Sequence, residues 1–162
     1  MKKFLIALTV LFIVNVGCKK EDIGGGRLCG CSPVVGPELN LVVKSGAGDD
    51  LLNNQTIGAY AKDKISVFRK DAAGKEIIVN FDIRPPFDYG NSKFTFNSLH
   101  VYLSGITATD NTLYLKLGTG KVYTLNIQVA TNKLDKLLID SKEAEKDKTA
   151  LANYMSMYYL TE

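Results

Sequence analysis

Thr112-Leu113-Tyr114-Leu115-Lys116-Leu117, followed by Gly118-Thr119-Gly120-Lys121 and then Val122-Tyr123-Thr124-Leu125-Asn126-Ile127-Gln128-Val129-Ala130, is the stretch that decides the fold. Leu113, Leu115 and Leu117 line one side of the first segment. Tyr123, Leu125, Ile127 and Val129 line one side of the second. Alternation with a period of two sends successive side chains to opposite faces and marks half-buried strands. Glycine in the connection supplies the positive φ that a tight hairpin requires. Gly118-Thr119-Gly120-Lys121 superficially matches a phosphate loop. It lacks the spacing, though, and joins two strands instead of a strand and a helix, so it reads as a turn.

The same period recurs upstream. Leu39-Asn40-Leu41-Val42-Val43-Lys44 reads as the first strand and Lys64-Ile65-Ser66-Val67-Phe68-Arg69 as the next. An Ala73-Gly74-Lys75 turn leads into Glu76-Ile77-Ile78-Val79-Asn80-Phe81, which predicts a second hairpin. Leu99, Val101 and Leu103 share a face of a further strand, with His100 and Tyr102 opposite. No βαβ spacing appears, which argues against a parallel sheet.

These elements predict an all-β, antiparallel β-sandwich, immunoglobulin-like or related. Asp140-Ser141-Lys142-Glu143 has capping-box character, so the charged stretch to Lys148 reads either as a short helical turn or two near the C-terminus or as a solvated loop. Asn153 to Thr161 reads as a closing strand on its β preference, ahead of a helix continued from Ser141.

The N-terminus has a different composition. Met1-Lys2-Lys3 is basic, Phe4 to Val14 is apolar, and Asn15-Val16-Gly17-Cys18 follows. The apolar run is shorter than the roughly 20 residues a membrane-spanning helix needs and has the flanks of a signal peptide. Gly17-Cys18 resembles the lipobox of bacterial lipoproteins, with Asn15 where that family prefers Leu. The resemblance implies cleavage before Cys18 and lipid on its sulfur. Two or more acyl chains anchor stably where one does not, at roughly 0.8 kcal/mol per buried CH₂.

Residues 1–17 are thus expected to be a signal peptide, 18–36 a lipidated cysteine with a flexible tether, and 37–162 one sandwich domain. Lys19-Lys20-Glu21-Asp22 is charged and Gly24-Gly25-Gly26 is flexible. Lys19 directly after the cysteine favours the outer membrane, with the periplasmic face and the cell surface both left open. For Cys29-Gly30-Cys31 three readings stand: structural or unpaired cysteines, a local disulfide in an oxidising compartment, and metal or redox work. Two thiolates and a single histidine make a poor zinc site.

Leu41-Val42-Val43, Gly48-Asp49-Asp50-Leu51-Leu52-Asn53, Thr56-Ile57-Gly58-Ala59-Tyr60 and Ile65-Ser66-Val67-Phe68 together resemble the small β-sandwich lipoproteins of Bacteroidetes. That resemblance covers about Cys18 to Val129 and implies a fold and a compartment, and no activity.

Reactive constellations are sparse. At 46% hydrophobic and 23% charged residues the chain is neither disordered nor a multi-span membrane protein. The net charge of +3 falls by two with Lys2 and Lys3, which leaves no electrostatic footprint for nucleic acid. His100, the sole histidine, reads as a surface residue on the polar face of its strand. Asp49, Asp50, Asn53 and Asn54 read as turn formers and not as a calcium loop, which needs a closing bidentate Glu. In Arg84-Pro85-Pro86-Phe87-Asp88-Tyr89-Gly90 the prolines hold the backbone extended, so Phe87 and Tyr89 form a candidate binding loop. The alternative there is aromatics that cover the end of the sandwich.

No catalytic residue, cofactor or metal is assigned. The expectation is a lipid-anchored envelope protein, non-enzymatic, that serves as an accessory or binding module for a protein or glycan. The rival is an envelope hydrolase or glycan-processing enzyme that uses carboxylates such as Asp82 or Asp88.

Overall fold

The alternation in 112–130 becomes a long antiparallel hairpin at the centre of a two-sheet sandwich. The structure, a computed structural model, describes residues 36–103, 106, 111–130, 133–153 and 155–162. In chain order the strands are β1 (Glu38–Lys44), β2 (Ile65–Lys70), β3 (Glu76–Ile78), β4 (Phe81–Arg84), β5 (Phe87–Tyr89), β6 (Ser92–Phe94) and β7 (Ser98–Tyr102). They continue with β8 (Thr112–Leu117), β9 (Val122–Ala130), β10 (Lys133–Ile139), β11 (Lys142–Glu143), β12 (Glu145–Lys146) and β13 (Met157–Thr161). Short 3-10 helices span Lys62–Lys64 and Ala150–Asn153. No helix among the described residues is long and apolar enough to cross a membrane.

A six-stranded sheet runs β11-β10-β9-β8-β2-β3 and faces a five-stranded sheet, β12-β13-β1-β7-β4. A separate hairpin joins β5 to β6. Leu113, Leu115, Leu117, Leu125, Ile127 and Leu137 from the first sheet meet Leu39, Leu41, Val43, Leu99, Val101 and Leu160 from the second, all buried in one cluster. Each fully buried aliphatic side chain contributes about 1.5–3 kcal/mol. This alternation, read from the sequence, holds the two sheets together.

Both open sides of the sandwich are closed by chain that changes sheets. The Glu76–Phe81 run is not one strand, because β3 pairs with β2 and β4 pairs with β7 in the opposite sheet. On the far side β11 pairs with β10, and β12, after Ala144, pairs with β13. Splitting one extended segment between two sheets shortens the exposed edges that would otherwise invite further strand pairing.

Two further expectations are corrected. β1 and β13 pair in parallel, Asn40 opposite Met157 through Lys44 opposite Thr161, so the sandwich is not purely antiparallel. A parallel pair needs a long connection, and here the whole intervening domain supplies it. Asp140 and Ser141 cap no helix: both have positive φ, 49° and 67°, and form a two-residue turn between β10 and β11. The Asp140 carboxylate steadies that turn by accepting the Thr124 N–H at 2.9 Å. β10 itself has no counterpart in the alternation pattern. A register shift between Leu134 and Lys136 spaces its buried residues unevenly, at Leu134, Leu137 and Ile139. The carbonyls at that bulge are used by the other sheet. Ser156 Oγ donates to Leu134 O at 2.8 Å and the buried Tyr158 hydroxyl to Asp135 O at 2.9 Å. The tail strand is present as β13, preceded by a 3-10 turn and not a long helix.

Candidate functional site

Alternation along β1, β7, β4 and β13 gives the five-stranded sheet an outer face as well as a core face. Glu38, Asn40, Val42, Ser98, His100, Asp82, Arg84, Met157 and Tyr159 occupy the positions between the core residues. Much of this face is covered. Val42 and Met157 are buried with Phe94 and Leu151, and Phe87, Phe96, Met155 and Tyr159 pack around them. The cover is the β5–β6 hairpin and the 3-10 helix at Ala150–Asn153, a small apolar cap on the back of the sheet.

The candidate binding loop is part of that cap. Phe87 is half-buried against Phe94, with ring centroids 5.4 Å apart, so it covers the sheet and is not displayed at a loop tip. Tyr89 lies at the end of β5 and is exposed.

His100 is corrected from a surface residue to a buried one, 1% exposed, beside Asn40 at 1%. Arg84 Nη2 lies 2.7 Å from His100 Nε2, and His100 Nδ1 lies 2.9 Å from Asn40 Oδ1. A guanidinium only donates, so Nε2 must accept and Nδ1 must carry the proton. Asn40 Oδ1 then accepts from His100, and Asn40 Nδ2 donates to Ser156 O at 3.4 Å. Glu38 Oε2 stands 3.7 Å from Arg84 Nη1 and 3.8 Å from His100 Nδ1. Burial and then the Arg84 charge hold the imidazole below its ordinary range, against the pull of Glu38 and Asp82.

Between the cap and β13 lies a depression of about 350 Å³, lined by Lys93, Phe94, Phe96, Thr149, Leu151 and Tyr159, with Asp147 among its walls. A neighbouring hollow shares Phe96, Asp147 and Tyr159 and adds Lys44, Lys146 and Lys148. Asp147 is only 7% exposed. Its carboxylate accepts from the Thr149 hydroxyl at 2.6 Å and the Tyr159 hydroxyl at 3.3 Å, which fixes its direction. Burial, followed by the Asp147 charge, pushes the Tyr159 phenol up to about 12, so it stays a hydrogen-bond donor at neutral pH. A third cavity, about 380 Å³, sits where β3 hands over to β4 and is lined mainly by Ile77, Ile78, Val79, Tyr102, Leu103 and Ile106.

Asp82 is exposed and ion-paired to Lys62 at 3.0 Å, and Asp88 is exposed on β5. Asp50 is a structural anchor. Its carboxylate accepts the Leu52 N–H at 2.9 Å and both the backbone and side-chain N–H of Asn97, at 2.6 and 2.8 Å. Asn53 closes its own turn by accepting the Gln55 N–H at 3.1 Å. Among the described residues no group of three or more His, Cys, Asp or Glu side chains could hold a metal ion. Cys18, Cys29 and Cys31 lie outside the described residues.

Sequence reasoning missed Asn40, Arg84, Asp147, Phe96 and Tyr159. Alternation alone places Asn40 and His100 on outer faces, but only the strand order makes β1 and β7 neighbours. Protein-family models, curated proteins and solved structures give no match to this chain.

Proposed function

We propose that this chain is a lipid-anchored envelope protein, held at the outer membrane through Cys18, whose sandwich serves as a non-enzymatic binding module. Its ligand, a protein or a glycan of the envelope, docks in the depression between the aromatic cap and β13. The observation that supports this reading most is the pairing of two aromatic walls, Phe96 and Tyr159, with a carboxylate, Asp147, fixed by two hydroxyls. Binding sites combine apolar surface with a few oriented polar groups in this way. The larger β3–β4 cavity is less suited, since its lining is mostly aliphatic. The anchor rests on the Gly17-Cys18 sequence and the apolar run before it.

The test places a photo-crosslinking residue at Phe96 or, on the other sheet, at Lys116 in otherwise intact cells. Adducts from position 96 and none from 116 are expected, and Tyr159→Ala should reduce them about tenfold, the loss of one interface anchor. Equal labelling from both positions would overturn the site. Intact-mass measurement of the same protein should find acyl chains on Cys18, and a soluble, unlipidated product would remove the anchor.

A further inference from the structure

We propose that His100 is an acid-sensitive latch that fastens the aromatic cap to the five-stranded sheet. The network it centres has one end at each strap of the cap. Arg84 is followed directly by Pro85-Pro86 and the β5–β6 hairpin, and Ser156, reached through Asn40, follows the 3-10 helix and precedes β13. One imidazole thus joins both straps, through its acceptor on one side and its donor on the other.

That arrangement suits only the neutral ring. The next proton must go to Nε2, the nitrogen that accepts from Arg84. Protonation therefore replaces a charge-assisted hydrogen bond with two donors and two positive charges facing each other at 2.7 Å. The acidic groups around the ring offset this only in part. Glu38 on β1, 3.8 Å from Nδ1, favours the charged ring but is already shared with Arg84. Asp82 on β4 is drawn away by Lys62. Tyr102 on β7 meets the ring edge-on at a centroid distance of 4.6 Å. The Ser156 segment presents only its carbonyl, to Asn40.

Relief comes when Arg84 swings outward, which is feasible because its side chain is 36% exposed. That motion frees the root of the hairpin. The sign agrees: the folded-state value lies below the ordinary 6.5, so the contribution is complete above 6.5 and is lost as pH falls toward the folded value. The cap is also the part of the fold with the smaller apolar cluster, where local opening costs least. The latch is a property of the cap and stands whether or not a ligand docks beside it.

The chain has one histidine, so its ring signal can be followed without ambiguity by NMR in the full protein. Hydrogen exchange, corrected for its intrinsic pH dependence, supplies the second reading. The ring should titrate below 6.5. Across the same interval exchange should rise roughly tenfold or more in β5, β6 and the 3-10 helix while β8 and β9 stay protected. His100→Gln, which cannot titrate, should flatten that response. Three results would each overturn the latch: a ring that titrates at or above 6.5, cap protection that ignores pH, or exchange that rises equally in β8 and β9. Should His100→Gln fail to fold, the wild-type ring titration and the contrast between cap and β8–β9 still decide.

Discussion

The two faces of the five-stranded sheet are built by the same strands and stabilised in different ways. On the inner face Leu39, Leu41, Val43, Leu99, Val101 and Leu160 meet a complete opposing sheet and form one aliphatic core. On the outer face Val42 and Met157 meet only a hairpin and one turn of 3-10 helix. Three of the other positions there carry Asn40, Ser98 and His100, polar yet each 1% exposed. The inner face needs little beyond apolar residues of suitable volume. The outer face needs every buried donor and acceptor matched, and its geometry is correspondingly specific. The same backbone alternation therefore produces a general-purpose core and a tuned surface, one residue apart.

Leu41 and Val42 make the sharpest comparison, being adjacent on β1, both 0% exposed, and directed to opposite faces. Leu41→Ala should lower stability by about 2–5 kcal/mol, because a full sheet cannot collapse into the space left. Val42→Ala removes less volume under a cover free to settle, and should cost about 1–2 kcal/mol at roughly 0.8 per methylene. Chemical denaturation of both variants measures the two costs. Equal losses would mean the cap is as rigid as the core, and the contrast would fail.

Asp50 ties the two regions together, and its removal is expected to come next in size. It anchors the turn carrying Leu51 and Leu52, both in the inner core, to Asn97, which lies between the cap and β7. Asp50→Ala strands the donors of Asn97 and Leu52, and the expected cost is about 1–3 kcal/mol. Asp50→Asn keeps an acceptor and should recover part of that loss. Thermal unfolding of the pair distinguishes a lost anchor from a lost charge.

The inner face is closed at one rim by a carboxylate of its own. Glu162 accepts the Tyr123 hydroxyl at 2.6 Å through Oε1 and the Tyr60 hydroxyl through Oε2. Hydrogen bonding to Glu162, then burial, raises Tyr60 to about 12. Tyr123 is raised further, with burial as the leading cause. Raised values favour the protonated phenol, so this contribution is whole below pH 10 and is lost as pH climbs through 12. The two regions should therefore fail at opposite ends of the pH scale, the cap in acid and this rim in strong alkali. A titration followed on the assigned ring NMR signals of the individual tyrosines should show Tyr60 ionising near 12, and Glu162→Gln should bring it back toward 10. A Tyr60 that ionises near 10 in the wild type would separate the rim from Glu162.

The inner face was legible in sequence because its signal is local. Leu113 to Leu117 and Tyr123 to Ile127 carry the alternation, and Gly118, at φ 61°, makes the turn they imply. The outer face was not legible, since its partners come from β1, β4, β7 and the segment before β13, and no local pattern specifies which strands lie side by side. His100 looked solvent-facing for that reason: the alternation places it opposite the core but is silent about the cap above it. β10 was hidden by its bulge. One additional residue makes Leu134 and Leu137 neighbours on a face, a spacing of three that imitates a helix.

The β10–β11 turn supplies the smallest expected effect and a control for the rest. Asp140-Ser141 followed by Glu143 is a helix-start pattern, yet the chain uses both residues at positive φ. A left-handed conformation costs an ordinary residue roughly 1–2 kcal/mol, and glycine avoids most of that steric penalty. Asp140 offsets its share by accepting the Thr124 N–H, whereas Ser141 is exposed at the tip of the turn. Ser141→Gly should therefore stabilise the protein by about 0.5–1 kcal/mol after glycine's greater unfolded-state entropy is deducted. The melting temperature should rise by roughly 2–5 °C. Asp140→Gly loses the compensating hydrogen bond and should gain nothing. Because this turn lies at the edge of the six-stranded sheet, Ser141→Gly should leave exchange in the cap unchanged. A change there would mean that the cap reports on the stability of the whole sandwich and does not open on its own.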